Sequence, residues 1–175
     1  MQFAAGSSRF GARRACALVA AATRDGDDAG SGRRIFYHAN SAGCFKCHTV
    51  NGRGGKVGPD LSTVGRSLSR ERLIDSILEP SKEIAPQFVM WAMETAAGKV
   101  HTGMIVHENV GKTILGDAEG KTIELRTIDI VQRIPQQKSI MPDNLAERMT
   151  VQEFRDAPAE LQCVQTTKAE PTPPP

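Results

Sequence analysis

Cys44-Phe45-Lys46-Cys47-His48 gathers two thiols and an imidazole within five residues. That order is the c-type haem attachment pattern. Each thiol can add across one haem vinyl group, and a short helical turn between the cysteines spans the porphyrin edge. His48 then lies under the iron as the proximal ligand. The chemistry supplied would be one-electron transfer, carried by the cofactor. Two other uses of Cys-x-x-Cys compete with it. Zinc would need a second ligand pair at suitable spacing, yet Cys16 and Cys163 are single and remote, and His38, His101 and His107 are scattered. A redox dithiol of thioredoxin type would need βαβ surroundings, which the flanking sequence does not offer.

A six-coordinate electron-transfer haem needs a second axial ligand, and methionine raises the potential relative to histidine. The chain has six methionines. Met1 is the start, Met149 sits at a helix start, and Met90, Met93 and Met104 fall in predicted strands, where methionine fills core. Met141 lies in a loop, and Pro142 after it restricts its backbone to extended geometry. It is the favoured distal ligand, with His101 and His107 as alternatives. A ligating histidine usually donates its other ring N–H to a carbonyl. The Gly58-Pro59-Asp60-Leu61 segment is placed to supply one, with Pro59 at its turn and Leu61 able to pack on the porphyrin. Asp60 reads as a turn or cap residue.

These residues need a frame. Ile35 and Phe36 give residues 32–40 the apolar patch of a first helix. Residues 51–59 carry four glycines and are predicted to be irregular, wrapping the haem edge closely. Ser69 is a plausible N-cap for a helix over 70–79, ended by Pro80, with Leu73, Ile74, Ile77 and Leu78 on one face as its core stripe. After Pro86 the pattern becomes β, with segments at 88–95, 99–107, 112–115 and 121–130 separated by glycine- and asparagine-bearing turns. The expected fold is mainly α: a helical domain with a small antiparallel β segment inserted at about 87–131. Thr150 and Glu153 form a capping box for a last helix, which Pro158 should stop or kink early.

A chain of 175 residues suggests one domain. Aromatic residues make up only 5%, so a buried porphyrin would add apolar volume that side chains do not supply. The net charge of +2 and the lack of a basic block argue against nucleic acid as a partner. No apolar stretch is long enough to span a bilayer. Arg9, Arg13 and Arg14 precede a short apolar run at 15–22 that ends in small residues, as in a secretory signal cleaved near Ala22. A helix continued from an upstream domain reads equally well. Residues 1–30 are therefore assigned to a signal-like or upstream-helix segment and 31–157 to the haem domain. Residues 158–175, rich in proline, are assigned to a disordered tail. Covalent haem attachment normally takes place outside the cytoplasm, so a periplasmic or otherwise extracytoplasmic location is expected. Cys16 has no evident role, and Cys163 reads as a free thiol.

Several motifs then occur in order: Gly32-x-x-x-Phe36, the five-residue cysteine-histidine run, Gly54-Gly55-Lys56-Val57-Gly58-Pro59-Asp60-Leu61 and Ser76-Ile77-Leu78-Glu79-Pro80-Ser81. Gly103 and Ser139-Ile140-Met141-Pro142 follow. Together, over about 32–154, they resemble the planctomycete and verrucomicrobial type of haem-binding domain in the cytochrome c superfamily. The resemblance implies a helical core with a β insert and one covalently attached haem c per chain. It implies Cys44 and Cys47 as attachment points and His48 and Met141 as iron ligands. Such domains often end large exported proteins with dehydrogenase-like or helical-repeat regions. An electron carrier rather than an enzyme is implied, serving a dehydrogenase or a terminal acceptor, either alone or as the haem module of a larger dehydrogenase. Residues 154–158 depart from the apolar closing helix of the family, which predicts a short last helix and weak packing on Phe36. The alternative functions are a haem-based catalytic or ligand-sensing module with an open sixth iron position, and an interaction module whose β insert binds a partner. A di-haem peroxidase would need a second Cys-x-x-Cys-His, which this chain lacks.

Overall fold

The computed structural model describes residues 27–163. Residues 1–26 of the signal-like segment, Cys16 among them, and the chain from residue 164 onward lie outside the described residues, whereas residues 27–30, expected in that segment, belong to the folded domain. Asp28 opens the first helix: its carboxylate accepts from the Gly30 amide at 2.8 Å and from Ser31 Oγ at 2.7 Å, the geometry of an N-cap. Helix α1 (Ala29–Tyr37) therefore starts at Ala29 and not at residue 32. Helices α2 (Val64–Ser67) and α3 (Arg70–Leu78) follow, and Ser69 Oγ caps α3 by accepting from the Arg72 amide. Leu73 of the expected apolar stripe is buried, Ile74 and Ile77 are half-buried, and Leu78 stays 45% exposed.

The last helix, α4 (Val151–Cys163), begins at the predicted capping box. The Thr150 amide donates to Glu153 Oε2 at 2.8 Å and the Glu153 amide to Thr150 Oγ1 at 3.2 Å. It does not stop at Pro158. Ala157, Ala159 and Leu161 are buried with Ile35, Ala29 and Phe36 of α1, and that burial outweighs the one hydrogen bond a helical proline forfeits. The two helices cross at Gly32, where an added Cβ would lie 2.1 Å from the Asp156 carbonyl oxygen. Phe36 and Leu161 share one core with Val50 and Leu73, so the closing helix packs on Phe36 after all. Asp27, buried in front of α1, binds Arg70 Nη2 at 2.8 Å and Arg155 Nε at 3.2 Å. One carboxylate thus ties the starts of α1 and α3 to α4, neutralised by two guanidinium groups. Cys163, expected as a free thiol, is disulfide-bonded.

The rest is β. A two-residue hairpin, β1 (Thr49–Val50) and β2 (Arg53–Gly54), stands beside a five-stranded antiparallel sheet. The sheet comprises β3 (Met90–Thr95), β4 (Val100–Glu108), β5 (Lys112–Gly116), β6 (Thr122–Arg126) and β7 (Ile130–Pro135). Its spatial order is β6-β5-β4-β3-β7, so four strands meander and the fifth returns to pair with the first. Met93, Leu115 and Leu125 form its core, with Trp91, Ile105 and Ile130 packed against them. Met93 and Met104 are core residues, as expected of strand methionines.

The mainly α expectation is corrected. Among the described residues about 34% are helical and 26% are in strands. The helices are short, and residues 130–135 form a fifth strand that takes over from β3 as one edge of the sheet. Their alternating Ile130, Gln132 and Ile134 lie on a largely exposed ribbon, which gives little hydrophobic contrast to read.

Two outcomes follow for stability. Gly32→Ala should lower the free energy of unfolding by about 2 kcal/mol or more through overpacking against backbone, measured by denaturant titration. Gly111→Ala, whose nearest neighbour would be Asn109 Oδ1 at 3.7 Å, should leave it unchanged. Hydrogen bonds from Arg133 and Thr113 hold the Glu108 carboxyl below its ordinary value of 4.5. A carboxyl lowered on folding stabilises above its unfolded value and loses that contribution as pH falls through the folded one. Stability should therefore fall on acidification below pH 4.5, and the fall should be shallower in Glu108→Gln.

Candidate functional site

Gly43, at φ 63°, turns the chain out of α1's loop into a 3-10 turn over Cys44–Lys46. The amides of Cys47 and His48 both donate to the Cys44 carbonyl, at 3.2 and 2.9 Å. This is the short helical turn expected between the cysteines, and both thiols are free. Asn51 (φ 50°) and Gly52 (φ 74°) then form a tight turn with two positive φ angles in succession. That is the signature of an Asn-Gly hairpin, and it folds β1 onto β2 inside a stretch expected to be irregular.

Past that hairpin the chain doubles back onto the motif. The Gly55 amide donates to the Phe45 carbonyl at 2.7 Å and the Gly58 amide to the Cys47 carbonyl at 2.8 Å. Leu61 N–H reaches the Thr49 carbonyl at 2.8 Å, beside a parallel bridge between Thr49 and Asp60. The glycines permit this approach: a Cβ on Gly55 would lie 1.9 Å from the Lys46 carbonyl oxygen, and one on Gly58 would lie 2.7 Å from His48 Cε1. Asp60 accepts from the Ser62 amide, the local turn role expected of it.

His48 Nδ1 lies 2.9 Å from the Pro59 carbonyl oxygen. With Nδ1 donating, Nε2 carries the lone pair that a metal can use. Desolvation lowers the histidine's pKa, with a smaller opposing effect from the Pro59 bond, so the ring favours the neutral form needed for ligation. Burial pushes the Cys44 thiol up to about 11, and burial with Asp117 and Glu119 nearby raises Cys47. Leu61 and Cys44 both pack on the Phe36–Val50–Leu73–Leu161 core. Cys44, Cys47, His48, Pro59 and Leu61 are thus one unit.

Met141 belongs to a different loop. It is half-buried, and its amide donates to Ser139 Oγ at 3.1 Å, while the Ser139 amide donates to Ser81 Oγ at 3.1 Å. Ser81, directly after Pro80, therefore fastens the Met141 loop to the end of α3. His101 lies in β4 opposite Met93, and His107 is exposed near Asn109. Among the described residues no group of three or more His, Cys, Asp or Glu side chains is gathered to hold a metal ion. A cavity of about 650 Å³ between α1 and α4, lined by Arg34, His38, Arg148 and Glu153 among others, contains none of the motif residues.

A part that sequence reasoning missed is the turn at 117–120, where Ala118 and Glu119 touch Cys47 and Lys46. Its Asp and Gly marked it only as a hairpin turn, and nothing local says where a turn lands.

The family model for cytochrome c matches residues 30–124, from α1 through most of β6. The chain belongs to the cytochrome c family. Members bind haem c covalently through its vinyl groups and carry electrons. No curated protein matches the sequence. The residues present in this cytochrome c fit the group: two free thiols on one turn, a desolvated histidine with Nδ1 already engaged, and apolar packing beside Cys44. No helix of the described residues is long and apolar enough to cross a membrane. Gly58→Ala, which drives a methyl group into the His48 ring, should lower haem loading per chain, read from haem absorbance at equal protein.

Proposed function

We propose that this cytochrome c carries one haem on Cys44 and Cys47, with His48 as proximal and Met141 as distal iron ligand. Single electrons pass from a dehydrogenase partner to a downstream acceptor. The observation that carries it is the contact between His48 Nδ1 and the Pro59 carbonyl at 2.9 Å, because it orients the ring and, in the neutral form that desolvation favours, leaves Nε2 as the nitrogen with the free lone pair. When bound, the haem supplies a metal centre that changes by one electron. The chain's own residues fix the histidine's orientation and tautomer, and they place Leu61 and the Gly54–Gly58 backbone around the motif.

Met141 lies beyond the residues matched by the family model. Its assignment is supported by its loop position, by Pro142 and by the Ser81–Ser139 fastening. The motif series from Gly32 to Pro142 supports membership of the planctomycete and verrucomicrobial type, and the haem domain, expected over 31–157, takes in residues 158–163 of the expected tail as well, because α4 is buried against α1 there. An extracytoplasmic location is supported by the attachment chemistry and by the disulfide at Cys163, a bond that persists in oxidising compartments.

Spectra of the loaded full chain test the ligand set. The ferric protein should be low-spin with a weak methionine-to-iron charge-transfer band, and Met141→Ala should abolish that band and lower the potential. An unchanged spectrum moves the ligand elsewhere. High-spin iron that readily binds added ligands supports a catalytic or sensing module instead.

A further inference from the structure

The sheet reaches the attachment motif through one turn. Between β5 and β6 the Asp117 amide donates to the Lys121 carbonyl at 2.8 Å and the Gly120 amide to the Asp117 carbonyl at 3.0 Å. Asp117 Oδ1 accepts from the amides of Glu119 and Lys121 at 2.9 and 2.8 Å. The turn is thus shaped by its own bonds before it touches anything else.

Three contacts then seat it on the motif. Lys46 Nζ lies 3.3 Å from Glu119 Oε2, and Cys47 Sγ lies 3.7 Å from the Ala118 carbonyl oxygen. Gly120, at φ 78°, passes so close that a Cβ there would be 2.2 Å from the Lys46 carbonyl oxygen. That oxygen is therefore enclosed by Gly55 on one side and Gly120 on the other, two segments far apart in sequence. Just before the turn, a Cβ on Gly116 would meet Val57 at 2.6 Å, so the same strand end also presses on the glycine loop. The sheet's own core at Met93, Leu115 and Leu125 uses none of these contacts.

We propose that the 117–120 turn covers the Cys47 side of the haem edge and that the Glu119–Lys46 pair sets the charge there. Both are positioning residues for electron transfer. The inference rests on haem attachment at Cys44 and Cys47. A carboxylate held near the haem edge favours the more positive ferric state, and an ammonium favours the ferrous state. As a pair the two nearly cancel, so removing either one leaves the other uncompensated. Mere packing of the turn would give no such opposition of sign.

The test is spectroelectrochemical titration of the haem-loaded full chain and of Glu119→Gln and Lys46→Gln. Glu119→Gln should raise the ferrous-to-ferric ratio at fixed potential at least twofold, and Lys46→Gln should lower it at least twofold. On the one-electron scale of about 59 mV per tenfold, each is a shift of about 18 mV in opposite directions. Both shifts should shrink as salt is raised, because the pair is partly exposed. Shifts of the same sign, or none, overturn the inference and leave the turn a packing contact. A matured wild-type chain without covalent haem overturns the attachment itself and the cover with it, whereas haem present with unmoved potentials overturns the cover alone.

Discussion

The structure depends on backbone laid directly against backbone around His48. The motif folds as a single turn, and the chain returns through Gly54, Gly55 and Gly58 so closely that side chains at those positions would occupy the motif's own carbonyls or the histidine ring. Two inter-segment amide bonds and the Pro59 carbonyl on Nδ1 follow from that approach. The orientation of the ring is therefore set by main chain, which has few alternatives, and not by a mobile side-chain partner. Desolvation from the same enclosure shifts the imidazole toward its neutral form.

That unit is held in place by contacts between the two ends of the described chain. α1 leads into the motif, and α4 lies across α1 at Gly32, with Asp27 bridging Arg70 and Arg155. Phe36, Leu73 and Leu161 come from three different helices yet meet Val50 beside the motif. The sheet is attached to this arrangement at Val57 and Lys46, two residues within or next to the site, so the β insert is coupled to the cofactor region and not only tethered to it.

The site's local geometry was legible in the sequence because it is written in nearby residues. The Cys-x-x-Cys-His run and the Thr150–Glu153 capping box each depend on neighbours a few positions away, and the carbonyl acceptor at Pro59 follows His48 by only eleven residues. What was missed depends on long-range packing. Pro158 was expected to end α4, but burial against α1 overrides a local breaker. The exposed ribbon 130–135 lacked the hydrophobic contrast that marks a strand, and its pairing with β3 extends a sheet that already rivals the short helices in extent. Asn51-Gly52 was a hairpin signal hidden in a glycine-rich run that suggested irregularity. The landing of the 117–120 turn on Lys46 and Cys47 has no local signature at all.

The most direct measurement is peptide mass mapping of the full chain matured in a haem-attaching host. The expected result is one haem retained, after denaturation, on the peptide that contains Cys44 and Cys47, with neither thiol open to alkylation. An unmodified peptide with both thiols alkylated would contradict the assignment of these residues as the attachment site.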